Sequence, residues 1–175
     1  MRISSKWVLV LLLAAPAWGA SSSLETMKMS KRFGVGFTAG GPLAVLGISA
    51  DVNVTENMSL GLGLGTGLNY STFMLEGRYF LLGEWVSPYL GFAVARWWTD
   101  GTSATNLAPS VLVNRFLPSG YDYTRGFSLF ILSPAVGVQF MHPMGFAISA
   151  ELQYLFKLVD FSNGTYAGLS AHWYF

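Results

Sequence analysis

From Met58 to Gly65 the chain reads Met58-Ser59-Leu60-Gly61-Leu62-Gly63-Leu64-Gly65, with a large apolar side chain at every second position. A spacing of 2 collects those side chains on one face of a β-strand, whereas a helix would scatter them around its circumference. Glycine at alternate positions would also weaken a helix by roughly 1 kcal/mol per residue. The segment is therefore extended, and its second face is nearly bare. Such a strand needs an apolar medium against one face and bulky side chains from neighbouring strands against the other.

The same alternation recurs along the chain. Segment 31–39 sets Phe33, Val35, Phe37 and Ala39 against Gly34, Gly36 and Thr38. Segment 43–54 sets Leu46, Ile48, Ala50, Val52 and Val54 against Gly47, Ser49, Asp51 and Asn53. After the Leu-Gly strand come 71–81, with Glu76 and Arg78 on its second face, and 87–98, with Leu90, Phe92 and Val94 opposite Tyr89, Gly91, Ala93 and Ala95. Segment 127–141 contains Pro134, which cannot donate to a ladder and predicts a bulge or a break. Segment 146–158 sets Phe146, Ile148, Ala150, Leu152, Tyr154 and Phe156 against Ala147, Ser149, Glu151, Gln153 and Lys157. The last strand runs to Phe175, with Ala171 and Trp173 opposite Ser170 and His172. Turns fall at 40–42, 55–57, 82–85 and 142–145, loops at 67–70 and 159–164, and the longest irregular stretch is 99–125.

An even set of eight strands joined in sequence predicts an all-β, antiparallel up-and-down barrel. In a soluble barrel of the lipocalin kind the apolar faces point inward and the other faces meet water. Here the other faces are mostly Gly, Ala and Ser, and charged residues make up only 11% of the chain, too few to solvate an outer wall. The apolar faces also carry aromatics near the strand ends (Tyr79, Phe146, Trp173 and Phe175 at one end; Phe73, Trp98, Tyr154 and Phe156 at the other) around an aliphatic middle. Amphipathic rings favour the two membrane interfaces, so the expected arrangement is a transmembrane β-barrel with its greasy faces in lipid.

The first residues fit an export leader: Arg2 and Lys6, a short apolar run from Trp7 to Ala15, then Ala17-Trp18-Gly19, with cleavage expected after Gly19. The expected organisation is a leader over 1–19, a periplasmic segment over 20–30 and the barrel over 31–175. Loss of Arg2 and Lys6 leaves eight basic residues against nine acidic ones, a net charge of −1. No basic excess exists to hold nucleic acid. There is no cysteine, hence no disulfide framework, and with His142 and His172 as the whole histidine complement neither a metal site nor a cofactor is expected.

In the strand-turn Asp51-Val52-Asn53-Val54-Thr55-Glu56-Asn57, in Ser87-Pro88-Tyr89-Leu90-Gly91 and in the terminal Trp173-Tyr174-Phe175, the chain resembles the small eight-stranded outer-membrane barrels of the OmpA/OmpX type. The resemblance spans about 31–175. Trp173 and Phe175 match the two aromatics of that family's terminal signal, while Ser170 stands where Gly is usual. It implies residence in a bacterial outer membrane and insertion by the barrel-assembly machinery, which would read Trp173 and Phe175 in the last strand.

The enclosed polar residues are the first candidates for function: Asp51, Glu76, Arg78, Glu151, Gln153, Lys157 and His172. Isolated charges in a confined lumen are costly, so they are expected to pair in a network filling the barrel. A narrow path for small solutes is the alternative, although eight strands leave a lumen about wide enough for side chains. Ser170 and His172, two apart on one face, with Glu151 or Asp51 as the acid, would be the set for a lipid A-modifying enzyme, but they face the lumen near the periplasmic end. The 99–125 stretch carries Leu107, Val111, Leu112, Val113, Phe116, Tyr121 and Tyr123 above Trp97 and Trp98, expected either as a lid over the barrel mouth or in contact with head groups. Arg96, Arg115 and Arg125 surround this rim and are candidates for lipopolysaccharide phosphates, which match the arginine fork. The expected role is non-enzymatic, structural or surface-contacting, in a monomer whose partners are lipid and lipopolysaccharide.

Overall fold

The computed structural model describes residues 23–67, 69–81, 83, 85–99, 111–118, 120–122 and 125–175. The expected leader, Leu107 and Tyr123 lie outside these residues, as do the side chains of Val111 and Leu112. A helix α1 (Ser23–Ser30) precedes strands β1 (Phe33–Gly40), β2 (Leu46–Asn53), β3 (Met58–Thr66), β4 (Ser71–Phe80) and β5 (Val86–Thr99). A single turn of helix, α2 (Val111–Asn114), stands before β6 (Phe127–Met141), β7 (Phe146–Lys157) and β8 (Asn163–Tyr174). The strands pair in chain order, all antiparallel, and close into a barrel through β1 and β8. At the seam Gly34 faces Tyr174 and Gly40 faces Gly168, and Phe175 N donates to Phe33 O at 2.8 Å.

The facing expected from the alternation is the facing observed. Phe37, Ile48, Leu62, Leu75, Leu90, Val136, Leu152 and Leu169 stand on the outer wall, each about half exposed or more. Among the described residues, every inward charged side chain of the strands is buried. The bare inner face of β3 has the expected use: a methyl group at Gly63 would lie 2.7 Å from Leu43 Cδ1, and one at Gly34 of β1 would lie 2.6 Å from the Tyr174 ring.

Two local expectations change, and a third is met. β1 begins at Phe33 because Lys31 N is spent on Met27 O, closing the last turn of α1. β2 begins at Leu46, not 43: positive φ at Gly40 (85°), Gly41 (65°) and Ala44 (65°) turns the chain into the lumen as a 3-10 turn, Gly41–Leu43. Leu43 and Ala44 are then fully buried inside the barrel. Of the bulge or break expected at Pro134, β6 shows the break, on its β7 side. Its register with β7 is the same on both sides, Leu132 opposite Phe156 and Ala135 opposite Gln153, and the ladder lapses only across Ser133 and Pro134, the proline having no N–H to donate.

Both termini of the barrel lie at the end carrying the short turns 54–57, 81–85 and 142–145. The opposite end carries the connections 41–45, 67–70, 100–126 and 158–162.

Candidate functional site: the lumen and its two mouths

The loop-end half of the lumen is apolar. Trp97 projects inward from β5, edge-on to Phe116 (centroids 5.6 Å, 89°) and tilted against Tyr70 (5.3 Å). Its indole Nε1 donates to Pro42 O at 2.7 Å, so the inward turn and the wall hold one another. Leu43, Met74, Val113, Ile131 and Leu155 belong to the same cluster. Val113 and Phe116 are about 1% exposed and Tyr121 packs against the cluster, so the described apolar residues of the long loop form a lid and not a head-group contact.

Below it the lumen turns polar. Arg78 holds Glu76 through two parallel bonds, Nε to Oε1 at 2.7 Å and Nη2 to Oε2 at 2.8 Å. Its remaining Nη1 lies 3.6 Å from Asp51 Oδ2. The same carboxylate oxygen accepts from the Tyr174 hydroxyl at 3.0 Å and lies 3.2 Å from His172 Nε2. Across the lumen, Glu151 accepts from the Tyr89 hydroxyl at 2.8 Å and from Gln153 Nε2. The structure thus joins Asp51, Glu76, Arg78 and His172 into one group, and Glu151 and Gln153 into another. Lys157 stands apart near the loop end, donating to Phe116 O at 2.9 Å and Asp160 Oδ2 at 2.6 Å. Asp160 caps the β7–β8 connection: its bonds from Lys157 and Ser162 hold its carboxyl well below the usual carboxylate range.

Tyr89 and Ser49, on the inner faces expected for them, join this network, and so does Tyr174. For the two tyrosines the sequence carries a signal: an inward hydroxyl at the height of a carboxylate two strands away. The helix α1 carries no such signal. It docks at the termini-end mouth, burying Met27 against Met141, Ala147 and Tyr174. Lys28 reaches further, its Nζ 2.7 Å from the centroid of the Phe80 ring and without a hydrogen-bond partner. Burial, and then the nearby Arg78 guanidinium, push its ammonium down to about 6, against the pull of Asp51.

Ser170 and His172 do not form the acyl-transfer set. His172 Nε2 is 2.8 Å from Ser49 Oγ and 3.2 Å from Asp51, so hydroxyl and carboxylate crowd one nitrogen while Nδ1 has no partner. A triad needs nucleophile and orienting acid on opposite nitrogens, with the nucleophile open to substrate; Ser49 and His172 are both buried. Among the described residues, no group of three His, Asp or Glu side chains could hold a metal ion.

The three rim arginines are not equivalent. Arg96 lies on the outer wall of β5, its guanidinium 5.6 Å from Trp98 and 5.9 Å from Phe130, with Nε donating to Ser128 Oγ at 3.1 Å. Arg125 pairs loosely with Asp122 at 3.6 Å, and Arg115 is exposed just after α2.

The closed eight-strand barrel with an apolar wall can be set beside solved structures. The N-terminal β-barrel domain of Pseudomonas aeruginosa OprF superposes with a TM-score of 0.60 at 16% identity, covering 83% of this chain and 98% of that one. The chain has the fold of the small eight-stranded outer-membrane barrels. Yersinia pestis Ail is also similar, with a TM-score of 0.44 and 12% identity for its backbone structure in a phospholipid nanodisc, covering 83% of this chain and 99% of that one. Ail crystallised with the heparin analogue sucrose octasulfate gives 0.41 and 14%, over 83% and 97%. No protein-family model matches the sequence, and no curated protein matches it.

Proposed function

We propose that this protein is an integral outer-membrane barrel of a Gram-negative bacterium, non-enzymatic and non-conducting, with a structural or surface-contacting role at its loop end. The observation that carries this reading is the filling of the lumen. Trp97, Phe116 and Leu43 occupy the loop-end half, the Arg78 network the middle and Lys28 the other mouth. A polar path for solutes would have to cross an apolar cluster, and a substrate would have to reach buried groups.

In this reading the leader is cleaved after Gly19, the barrel-assembly machinery recognises Trp173 and Phe175, and the termini end faces the periplasm. Arg96 is the best placed of the arginines for a lipopolysaccharide phosphate, because it lies near the loop end of β5 against two aromatic rings. Arg115 and Arg125 extend the same positive rim. The deciding experiment is planar-bilayer conductance of the refolded protein: no discrete steps are expected, and regular single-channel openings would overturn the closed-barrel reading. Lipid A mass spectra from cells expressing wild-type or His172→Ala protein should be identical.

A further inference from the structure

The outer wall is not uniformly convex. A groove of about 610 Å³ opens on the face shared by β8, β1, β2 and β3. Two registered rows of outward side chains define it: Trp173, Val35, Ala50 and Leu62 in one, and Ala171, Phe37, Ile48 and Leu64 in the next. The depression lies at Ala50 and Ala171, whose larger neighbours stand proud of them; Phe37 is 72% exposed. Phe146 of β7 closes one side beside Trp173.

The foot of the groove is cationic. Lys31 and Arg32 immediately precede β1, about 13 and 10 Å along the strand below Val35 at roughly 3.3 Å per residue. The Lys31 side chain lies against Gly145, at the turn that leads into Phe146. Arg32 is exposed, with Nε on Met29 O at 3.2 Å, and neither cation makes an ion pair with Glu56 on the β2–β3 turn.

We propose that this groove holds one acyl chain of an anionic phospholipid from the leaflet at the termini end, with the phosphate between Lys31 and Arg32. The occupant follows from two features together. The lining is hydrocarbon at a height continuous with the lipid-facing wall, and positive charge stands where a phosphate would be when its chain lies against Val35 and Ala50. A second copy of the barrel would meet the apolar lining but would leave the cationic foot unused. The proposal rests on the membrane reading given under the proposed function.

The test uses the full mature chain refolded into phosphatidylcholine vesicles doped with phosphatidylglycerol that carries a photoreactive diazirine on one acyl chain. After irradiation, peptide mass spectrometry should find label enriched several-fold on β1, β2 and β8 over the opposite wall at Leu90, Phe92, Val136 and Val138. Filling the groove with Ala50→Phe and Ala171→Phe, in protein that keeps its heat-modifiable mobility, should equalise the two walls. Lys31→Gln with Arg32→Gln should remove the enrichment for the phosphatidylglycerol probe and leave labelling by a phosphatidylcholine probe unchanged. Even labelling around the wild-type wall would overturn the proposal while sparing the membrane reading, and so would barrel-to-barrel cross-links centred on the groove. A protein that takes no label on any wall would overturn both.

Discussion

At the scale of the residue, the costly groups are the ions shut inside the barrel. Arg78 answers Glu76 by a two-bond fork and Asp51 by proximity, so losing it leaves both carboxylates buried without their cation. Breaking a buried pair from one side typically costs about 3–5 kcal/mol. Arg78→Met should lower folding stability by about that amount in a urea titration in lipid vesicles; a change within the error of the measurement would mean that water reaches the network. Lys28 poses the reverse problem. Its ammonium is pushed down to about 6 in the folded protein from an ordinary value near 10.5, so the unfolded chain holds the proton more tightly between those values. Protonation therefore opposes docking of α1 most fully below pH 6, and the penalty shrinks as pH rises toward 10.5. The face of the Phe80 ring offsets part of it, since it favours the charged form. Lys28→Met should stabilise the docked helix at pH 6 and show a diminishing advantage at higher pH. Amide exchange of α1, measured in both proteins across that range, checks the sign.

At the scale of the element, the strands are specified by alternation and the segments between them by volume. β3 is the clearest case: Leu62 faces outward, and Gly63 faces Leu43 across a narrow gap. Leu62→Arg should cost about 2–4 kcal/mol if it lies near the bilayer midplane. Gly63→Ala should cost about 1 kcal/mol, since the flexible end of Leu43 can give way. Equal losses in a folding titration would mean that β3 pairs in a different register. The last strand carries a further dependence, because Phe175 closes the seam by exchanging backbone bonds with Phe33. Deleting Phe175 should leave the chain in the periplasm, by losing both this closure and the aromatic end of the expected assembly signal. Heat-modifiable protein at wild-type levels in the outer-membrane fraction would count against that. The inward turn after β1 was not legible in the same way. Gly40-Gly41-Pro42 announces a turn, but Leu43 fits the alternation of the following strand as well as it fits a lumen. What decides between them is the space left by Gly47 and Gly63, which belongs to other strands.

At the scale of the whole molecule, the lumen is stratified: apolar toward the loops, ionic in the middle, and stoppered by a helix at the termini. The strata follow from which inward residues arrive at the same height once eight strands are registered against one another. Closure is cheap to read from a sequence and stratification is not. Each strand shows which of its residues point inward, but only the stagger of the barrel shows which of them meet. Val113 and Phe116 illustrate the limit: nothing in the loop's composition separates a lid from a surface patch, and the available volume beneath Trp97 and Tyr70 settles it.

The chain's own order of residues determined the strand count, the side of each strand that faces outward and the poverty of charge that makes an apolar surroundings necessary. These are consequences of a period of 2, which is local to each strand. The tertiary structure alone decided that Asp51 meets His172 and Arg78, that Lys28 lies on Phe80, and that Leu43 lies inside. Those contacts join residues from different strands and connections, and their distances are fixed only when the sheet closes on itself.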